Sequence, residues 1–386
     1  MKIKVNPEDF RVEEILSAPL SQDESPHRVY RLRKRNWNTV DALAEIARAG
    51  EIPLKELRWC GRKDRAALTT QYFSTTSRKD LAFKSTNVSA EYTGFSDSPL
   101  GPSSISGNRF NIIIREMTEE ELATASERLK ALKKSGFANY FDDQRFGDAG
   151  NGGFLGEMLV KRRFDAAVKK LLTSCHPEAP SSTRKRKSAI SGLWGQWVKV
   201  ASLCTEPDLK PMVEALQAGE GSIGALRKVP REEMGQYLSS YQSFIWNMVL
   251  KGFLEQRGLK LFEIPCLAGK LLQYKDLSQE ELASLSSLQI PTAGGEMLPL
   301  AKDIKRIMSR VLFERGVKLA KFRLPEIPQA YFASFLRPAI VIPGELKWEA
   351  APDSLFPGRQ MLRLEFVLPR GSFATMLIKS IGGETE

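Results

Sequence analysis

The chain has 386 residues, 42% hydrophobic and 27% charged, which suits a globular protein with a sizeable core and room for two domains. Lys and Arg total 57 against 46 acidic residues, and the resulting charge of +11 favours a polyanion partner, most simply nucleic acid. Four scattered cysteines form no Cys-x-x-Cys pair, and of the two histidines, His27 and His176, only His176 adjoins a cysteine, so no structural metal is expected.

The thiols read as reduced residues of an intracellular protein. No apolar run reaches the length of a membrane span, and Met1-Lys-Ile-Lys-Val does not open a signal peptide. A cytoplasmic location without membrane attachment is expected.

In chain order, Lys2 to Ile15 alternates apolar and polar residues around Asn6-Pro7, predicting two short strand pieces with a kink. Arg28, Arg31, Arg33, Lys34 and Arg35 interleave with Val29, Tyr30 and Leu32. That pattern fits either a strand edge following a phosphate backbone or a solvated face. Asn38-Thr39 caps a predicted helix running to about Ala49, with Gly50 ending it.

Gly61-Arg-Lys-Asp-Arg65 then leads into an alternating, β-prone run from Leu68 to Ser74. Gly61 is able to take a positive-φ turn geometry. Asp64 therefore sits on a loop entering a strand, flanked by Lys63 and Arg65, which favour the carboxylate as an anion. Such a group is either a nucleophile beside phosphate-holding cations or part of a solvated turn with an ion pair.

Ser96 to Gly107 reads as a loop and Arg109 to Arg115 as a buried strand. Thr118 and Glu121 form a capping box, Leu122, Ala125, Leu129 and Leu132 recur at helical spacing, and Gly136 stops the helix. Phe137 to Gly147 sets four aromatics among Asn139, Gln144 and Arg145. Rings with amides are what a flipped RNA base is stacked on and read by; a core aromatic cluster is the other reading.

Gly150-x-Gly152 fails the dinucleotide pattern because Leu155 stands where the third glycine belongs, so a linker is the better reading. From 156 to 325 the chain becomes more helical and more basic. Arg184, Lys185, Arg186 and Lys187 read as an exposed loop, either solubilising charge or a grip on phosphates. Met234, Tyr237, Leu238, Tyr241, Phe244, Ile245 and Met248 mark the core stripe of a long helix to about Gln256. Leu300 to Arg315 is a further helix, and Arg337-Pro338 opens a β segment continuing through Ile340–Ile342 and Leu362–Leu368.

Four stretches, taken together and in order, resemble the TruD family of tRNA pseudouridine synthases. They are Lys4-Val-Asn-Pro-Glu-Asp-Phe10; Gly61-x-Lys-Asp64 followed by Ala67-x-Thr-x-Gln71; Asn139-Tyr-Phe-Asp-Asp-Gln-Arg-Phe-Gly147; and Phe366-Val-Leu-Pro-Arg-Gly-Ser-Phe-Ala-Thr375. The resemblance implies an α+β fold: a split pseudouridine synthase catalytic domain (1–155 and 326–386) with a mostly antiparallel mixed sheet flanked by helices. An inserted α/β (TRUD) domain would occupy 156–325.

It also implies that a uridine of tRNA, uridine-13 in the D-arm, is isomerised by an essential Asp64. Lys4, Asn139, Phe141 and Phe373 would bind substrate; Lys63, Arg65, Arg145 and Arg184 to Lys187 are expected to touch RNA on the ground of their own charge. No metal or other cofactor and no protein partner are implied. Two departures stand out: Asp142 replaces a family glycine, with a cost if that position needs positive φ, and Leu377-Ile-Lys-Ser380 replaces Leu-Arg-Glu. The alternatives are a catalytically silent RNA-binding protein on the same scaffold and an RNA methyltransferase, the latter disfavoured by the failed glycine pattern.

Overall fold

The computed structural model describes residues 1–147, 149, 153–175 and 179–382; Gly150, Gly152 and His176 lie outside the described residues. The chain divides into two compact units, Met1–Phe137 with Val341–Glu384, and Ala138–Ile340. The junctions expected at 155/156 and 325/326 both fall inside the second unit. The stretch after Phe137 is hydrogen-bonded within that unit, with Asn139 N donating to Ala339 O at 2.9 Å and Ala138 N donating to Gln273 Oε1 at 2.8 Å.

Among the described residues the first unit contains a nine-stranded sheet. Its strands are β1 (Phe10–Leu16), β2 (His27–Arg35), β3 (Arg58–Trp59), β4 (Leu68–Thr75), β5 (Phe83–Lys84), β6 (Val88–Ser96), β7 (Ile105–Met117) and a C-terminal pair, Gly344–Pro352 and Gln360–Pro369. From one edge the order is Gly344–Pro352, Gln360–Pro369, β7, β1, β4, β2, β6, β5, with β3 pairing to β4. β1 runs parallel to β4, and the other pairings in this sheet are antiparallel. The fold is α+β, a mostly antiparallel sheet flanked by helices.

The period-two alternation of a strand separates an apolar face from a charged one. On β2, Tyr30 and Leu32 are buried while Arg33 and Arg35 are exposed. β2 lies between β4 and β6, so it is not the edge its basic residues suggested. Lys34 shares the parity of Leu32 and is fully buried, which departs from a solvated reading. Helix α1 (Thr39–Ala49) sets Ala42, Leu43 and Ile46 against Tyr30, Leu32 and Phe73.

Helix α2 (Glu119–Ser135) begins with the expected capping box: Thr118 Oγ1 accepts from Glu121 N at 3.1 Å, and Glu121 Oε2 accepts from Thr118 N at 2.8 Å. Gly136 ends it at φ 67°, where a Cβ would collide with the Val341 carbonyl.

The second unit is organised on the helix Arg231–Glu255, against which the helices Leu155–Val160 and Lys302–Glu314 pack. Met234, Leu238, Tyr241, Phe244 and Ile245 are buried in its core, as the apolar stripe implies. The run Arg184–Lys187 is not a loop: it lies on the helix Ser181–Gly192, where Lys and Arg are good helix formers. Arg186 and Lys187 pair with Glu206 at 2.6 and 3.3 Å, while Arg184 and Lys185 face outward. Among the described residues no helix is long and apolar enough to cross a membrane.

Candidate active site

Asp64 sits where the loop after β3 turns toward β4, and its carboxylate meets Lys4. Lys4 Nζ donates to Asp64 Oδ2 at 3.2 Å, with the side chains 25% and 29% exposed. Lys4 has φ 57° and its ammonium lies 4.3 Å from the Phe10 ring centroid, a cation–π contact. The arm carrying it is anchored by the Lys2–Arg115 bridge and by the buried Arg115 guanidinium, which pairs with Asp9 at 2.7 Å and Asp353 at 3.0 Å. An otherwise free N-terminal segment is thereby fixed against β7.

The backbone of the Asp64 loop is held by buried polar side chains from two strands and a helix. Lys63 N donates to Thr39 Oγ1 at 3.0 Å, Thr39 Oγ1 donates to Gln71 Oε1 at 3.0 Å, and Gln71 Nε2 donates to Gly61 O at 3.2 Å. Lys34 Nζ, from beneath, donates to Asp64 O at 2.7 Å and Lys63 O at 3.4 Å. Burial pulls the Lys34 ammonium down to about 8, against the attraction of Asp64 and with the repulsion of Lys63.

Lys63 Nζ donates to Asn108 Oδ1 at 2.7 Å and lies 3.0 Å from Glu14 Oε1, so it is engaged inside the fold. Burial raises the Glu14 carboxyl above its ordinary range, opposed by Lys63. Arg65 is exposed. Gly61 is not among the positive-φ residues, and a Cβ on it would meet open space. The turn is shaped by the Gln71 and Thr39 hydrogen bonds, so the expected left-handed glycine is not required. Phe373, half-buried, precedes the helix Ala374–Ile381 in the same unit.

In the second unit, the segment from Ala138 to Phe141 is held at three points. Gln273 Oε1 accepts from Ala138 N at 2.8 Å while its Nε2 donates to Ala138 O at 3.1 Å. Asn247, from the long helix, does the same for Phe141: Oδ1 accepts from the N–H at 2.9 Å and Nδ2 donates to the carbonyl at 2.8 Å. Each amide side chain stands in for a neighbouring strand.

Between them, Arg337 Nη2 donates to Asn139 O at 2.6 Å and to Asn139 Oδ1 at 2.8 Å. Its guanidinium lies 4.0 Å from the Phe141 ring centroid, and Phe141 meets Trp246 edge-on at 5.6 Å. Burial, with a smaller push from Arg145, pulls the Arg337 guanidinium below its ordinary range, yet arginine is basic enough to remain a cation at neutral pH.

Asn139 and Phe141 are only 1% and 3% exposed, and Asn139 Nδ2 donates to Pro338 O at 3.1 Å. Arg145 is exposed, 5.7 Å from the Phe141 ring. Asp142 has φ −102°, so no positive φ is demanded; its Oδ1 accepts from Asp143 N at 2.8 Å and starts the short turn Asp143–Arg145.

Among the described residues one group of side chains has metal-ligand proximity: Asp142, Asp143 and Cys266, with ligand atoms within 4.8 Å of one another. Asp143 Oδ1 accepts from Leu267 N at 2.7 Å, and Asp142 Oδ1 is bonded as just described, so both carboxylates act on the backbone.

The structure thus brings Lys4, Lys63 and Asp64 together in one unit and Asn139, Phe141 and Arg145 together in the other. The bracing roles of Lys34, Thr39, Asn247, Gln273 and Arg337 are not among the sequence expectations. A signal existed for two of them: Lys34 stands at an inward position of its strand, and Asn247 lies within an apolar helical stretch.

A loop aspartate paired with a lysine, on a basic chain with a mostly antiparallel sheet, defines a candidate nucleic-acid-modifying enzyme. The sequence profile of the family described as tRNA pseudouridine synthase D (TruD) matches residues 1–381. The chain belongs to that family, the isomerases of the TruD type.

It is 29% identical to a probable tRNA pseudouridine synthase D 1 of Methanococcus maripaludis, over 99% of both chains. It is 31% identical to a probable tRNA pseudouridine synthase D 2 of Methanocaldococcus jannaschii, over 98% of this chain and 91% of that one. To the tRNA pseudouridine synthase D of Aquifex aeolicus it is 29% identical, over 99% and 98%. The crystal structure of a putative tRNA pseudouridine synthase D from Methanosarcina mazei shares the fold, with a TM-score of 0.72 at 23% identity over 99% and 93% of the two chains.

Proposed function

We propose that this chain isomerises uridine-13 in the D-arm of tRNA to pseudouridine, with Asp64 as the essential residue. The observation that carries the reading is the Lys4–Asp64 pair, held on a braced loop but left partly open to solvent. The base first leaves its stack. The C1′–N1 bond breaks, the C1′–C5 bond forms, a proton leaves C5 and one is gained at N1. Substrate and product are isomers, so the sequence balances without an oxidant, reductant or group donor.

Asp64 acts as the nucleophile, on C1′ of the ribose or on C6 of the uracil; both routes need its carboxylate ionised. Lys4 orients that carboxylate through the hydrogen bond it donates to Oδ2. In this proposal the first unit carries the catalytic chemistry and the second is the inserted domain. Asn139 and Phe141, whose own contacts are taken by Arg337, Pro338 and Trp246, are the candidate substrate-binding residues of the second unit. Phe373 lines the site, and Arg65, Arg145, Arg184 and Lys185 are the exposed cations offered to phosphates.

The test is pseudouridine formation in unmodified tRNA, comparing wild type with Asp64→Asn and locating the base by carbodiimide-dependent primer extension. We expect product at uridine-13 with wild type and a rate at least about a thousandfold lower with the variant. Tight RNA binding by both proteins and product from neither would replace this reading with that of a silent RNA-binding protein.

A further inference from the structure

We propose that Lys34 is a positioning residue for Asp64, and that turnover requires its ammonium to be charged. The inference rests on Asp64 being the catalytic residue. Lys34 occupies an inward position of β2, in line with the buried Tyr30 and Leu32, and is fully buried itself. A charge placed there opposes folding, and an apolar residue of the same length would fill the site without that penalty.

What the ammonium does instead is local and specific. It donates to the carbonyls of Asp64 and Lys63, the two residues at the turn of the loop. A charged donor makes the stronger hydrogen bond, and its field also acts on the Asp64 carboxylate. Around it stand Asp64 and Lys63 on the loop, Glu14 on β1 beside Lys63, and Lys4 on the carboxylate. The Cys60 thiol, which feels Glu14 and Lys63 and is pushed up to about 12 by burial, stays neutral throughout the working range.

With the Lys34 ammonium lowered from 10.5 to about 8, the charge is lost in the folded protein before it is lost in the unfolded chain. Below about 8 both states carry it; between about 8 and 10.5 only the unfolded state binds the proton. The contribution of this group to stability therefore rises with pH in that window, while the grip on Asp64 weakens. Activity and stability part company there.

The experiment measures kcat and KM over a range of tRNA concentrations, from about pH 6.5 to about 9.5, for wild type, Lys34→Met and Asp64→Asn. For wild type we expect kcat to fall with a midpoint near 8. For Lys34→Met we expect kcat about tenfold to a hundredfold lower near neutrality, KM within about twofold, and no limb near that midpoint. A Lys34→Met enzyme with kcat within about twofold of wild type, or one that keeps the limb, overturns the inference. So does a wild-type kcat that stays flat across the range, a result that needs no variant to fold. Product from Asp64→Asn would instead overturn the reading of Asp64, so the two failures are distinguishable.

Discussion

Two loops of this protein are held in the same way and used differently. The Asp64 loop and the Ala138–Phe141 segment are both braced by buried polar side chains from distant parts of their own unit. Lys34, Thr39 and Gln71 hold the first; Gln273, Asn247 and Arg337 hold the second. The first loop nevertheless presents its Lys4–Asp64 pair partly to solvent. The second turns its Asn139 amide inward to Arg337 and Pro338, with Phe141 against Trp246. Bracing that ends in an available carboxylate suits chemistry, and bracing that consumes the side chains suits shape.

The largest effect should come from the second loop, because its brace is buried. Arg337→Met leaves the Asn139 carbonyl without its 2.6 Å donor and strands the Asn139 side-chain oxygen. Buried acceptors left in that state typically give about 3 kcal/mol of destabilisation in total. Denaturant unfolding reads this directly. A loss below about 1 kcal/mol would mean that Asn247 and Gln273 suffice, and that the loop is held at its ends alone.

Lys4→Met probes the other side of the contrast. The pair it breaks is partly solvated, so stability should change by no more than about 1 kcal/mol. Turnover should fall about tenfold to a hundredfold, because the cation acts on the reacting carboxylate. Pseudouridine formation and thermal melting measured on the same preparation separate the two quantities. If Lys4→Met destabilised the protein as much as Arg337→Met, the division between chemistry and shape would collapse.

The features visible in the sequence obey local rules. A capping box at Thr118 and Glu121, a stop at Gly136, the apolar stripe from Met234 and the loop-to-strand step at Asp64 each need only a few neighbouring residues. The braces are different, since they join residues 32, 106, 135 and 198 positions apart: Thr39 with Gln71, Phe141 with Asn247, Ala138 with Gln273, and Asn139 with Arg337. No periodicity announces such a pair.

Lys34 shows how charge misleads, because its parity with Leu32 placed it inside while its residue type suggested the surface. The edge strand Gly344–Pro352 escaped for the opposite reason. Its exposed Glu345, Lys347 and Glu349 interrupt the apolar signal, as expected of an edge protected against pairing. The junctions at 137/138 and 340/341 are set by which residues pack together in space, which no local pattern in the chain announces.

The smallest expected effect concerns a residue that the fold does not need. Gly61 lies outside the positive-φ region, its carbonyl is satisfied by Gln71, and a Cβ would meet no atom within 4 Å. Gly61→Ala should therefore stabilise the protein by about 0.4–1 kcal/mol, by restricting the unfolded chain. If the open space beside this glycine is where the RNA backbone passes, the same substitution should lower kcat/KM by about threefold while the melting temperature rises. An unchanged kcat/KM would leave the glycine without a role in either the fold or the site, and the contrast between the loops would then rest on the Lys4–Asp64 pair alone.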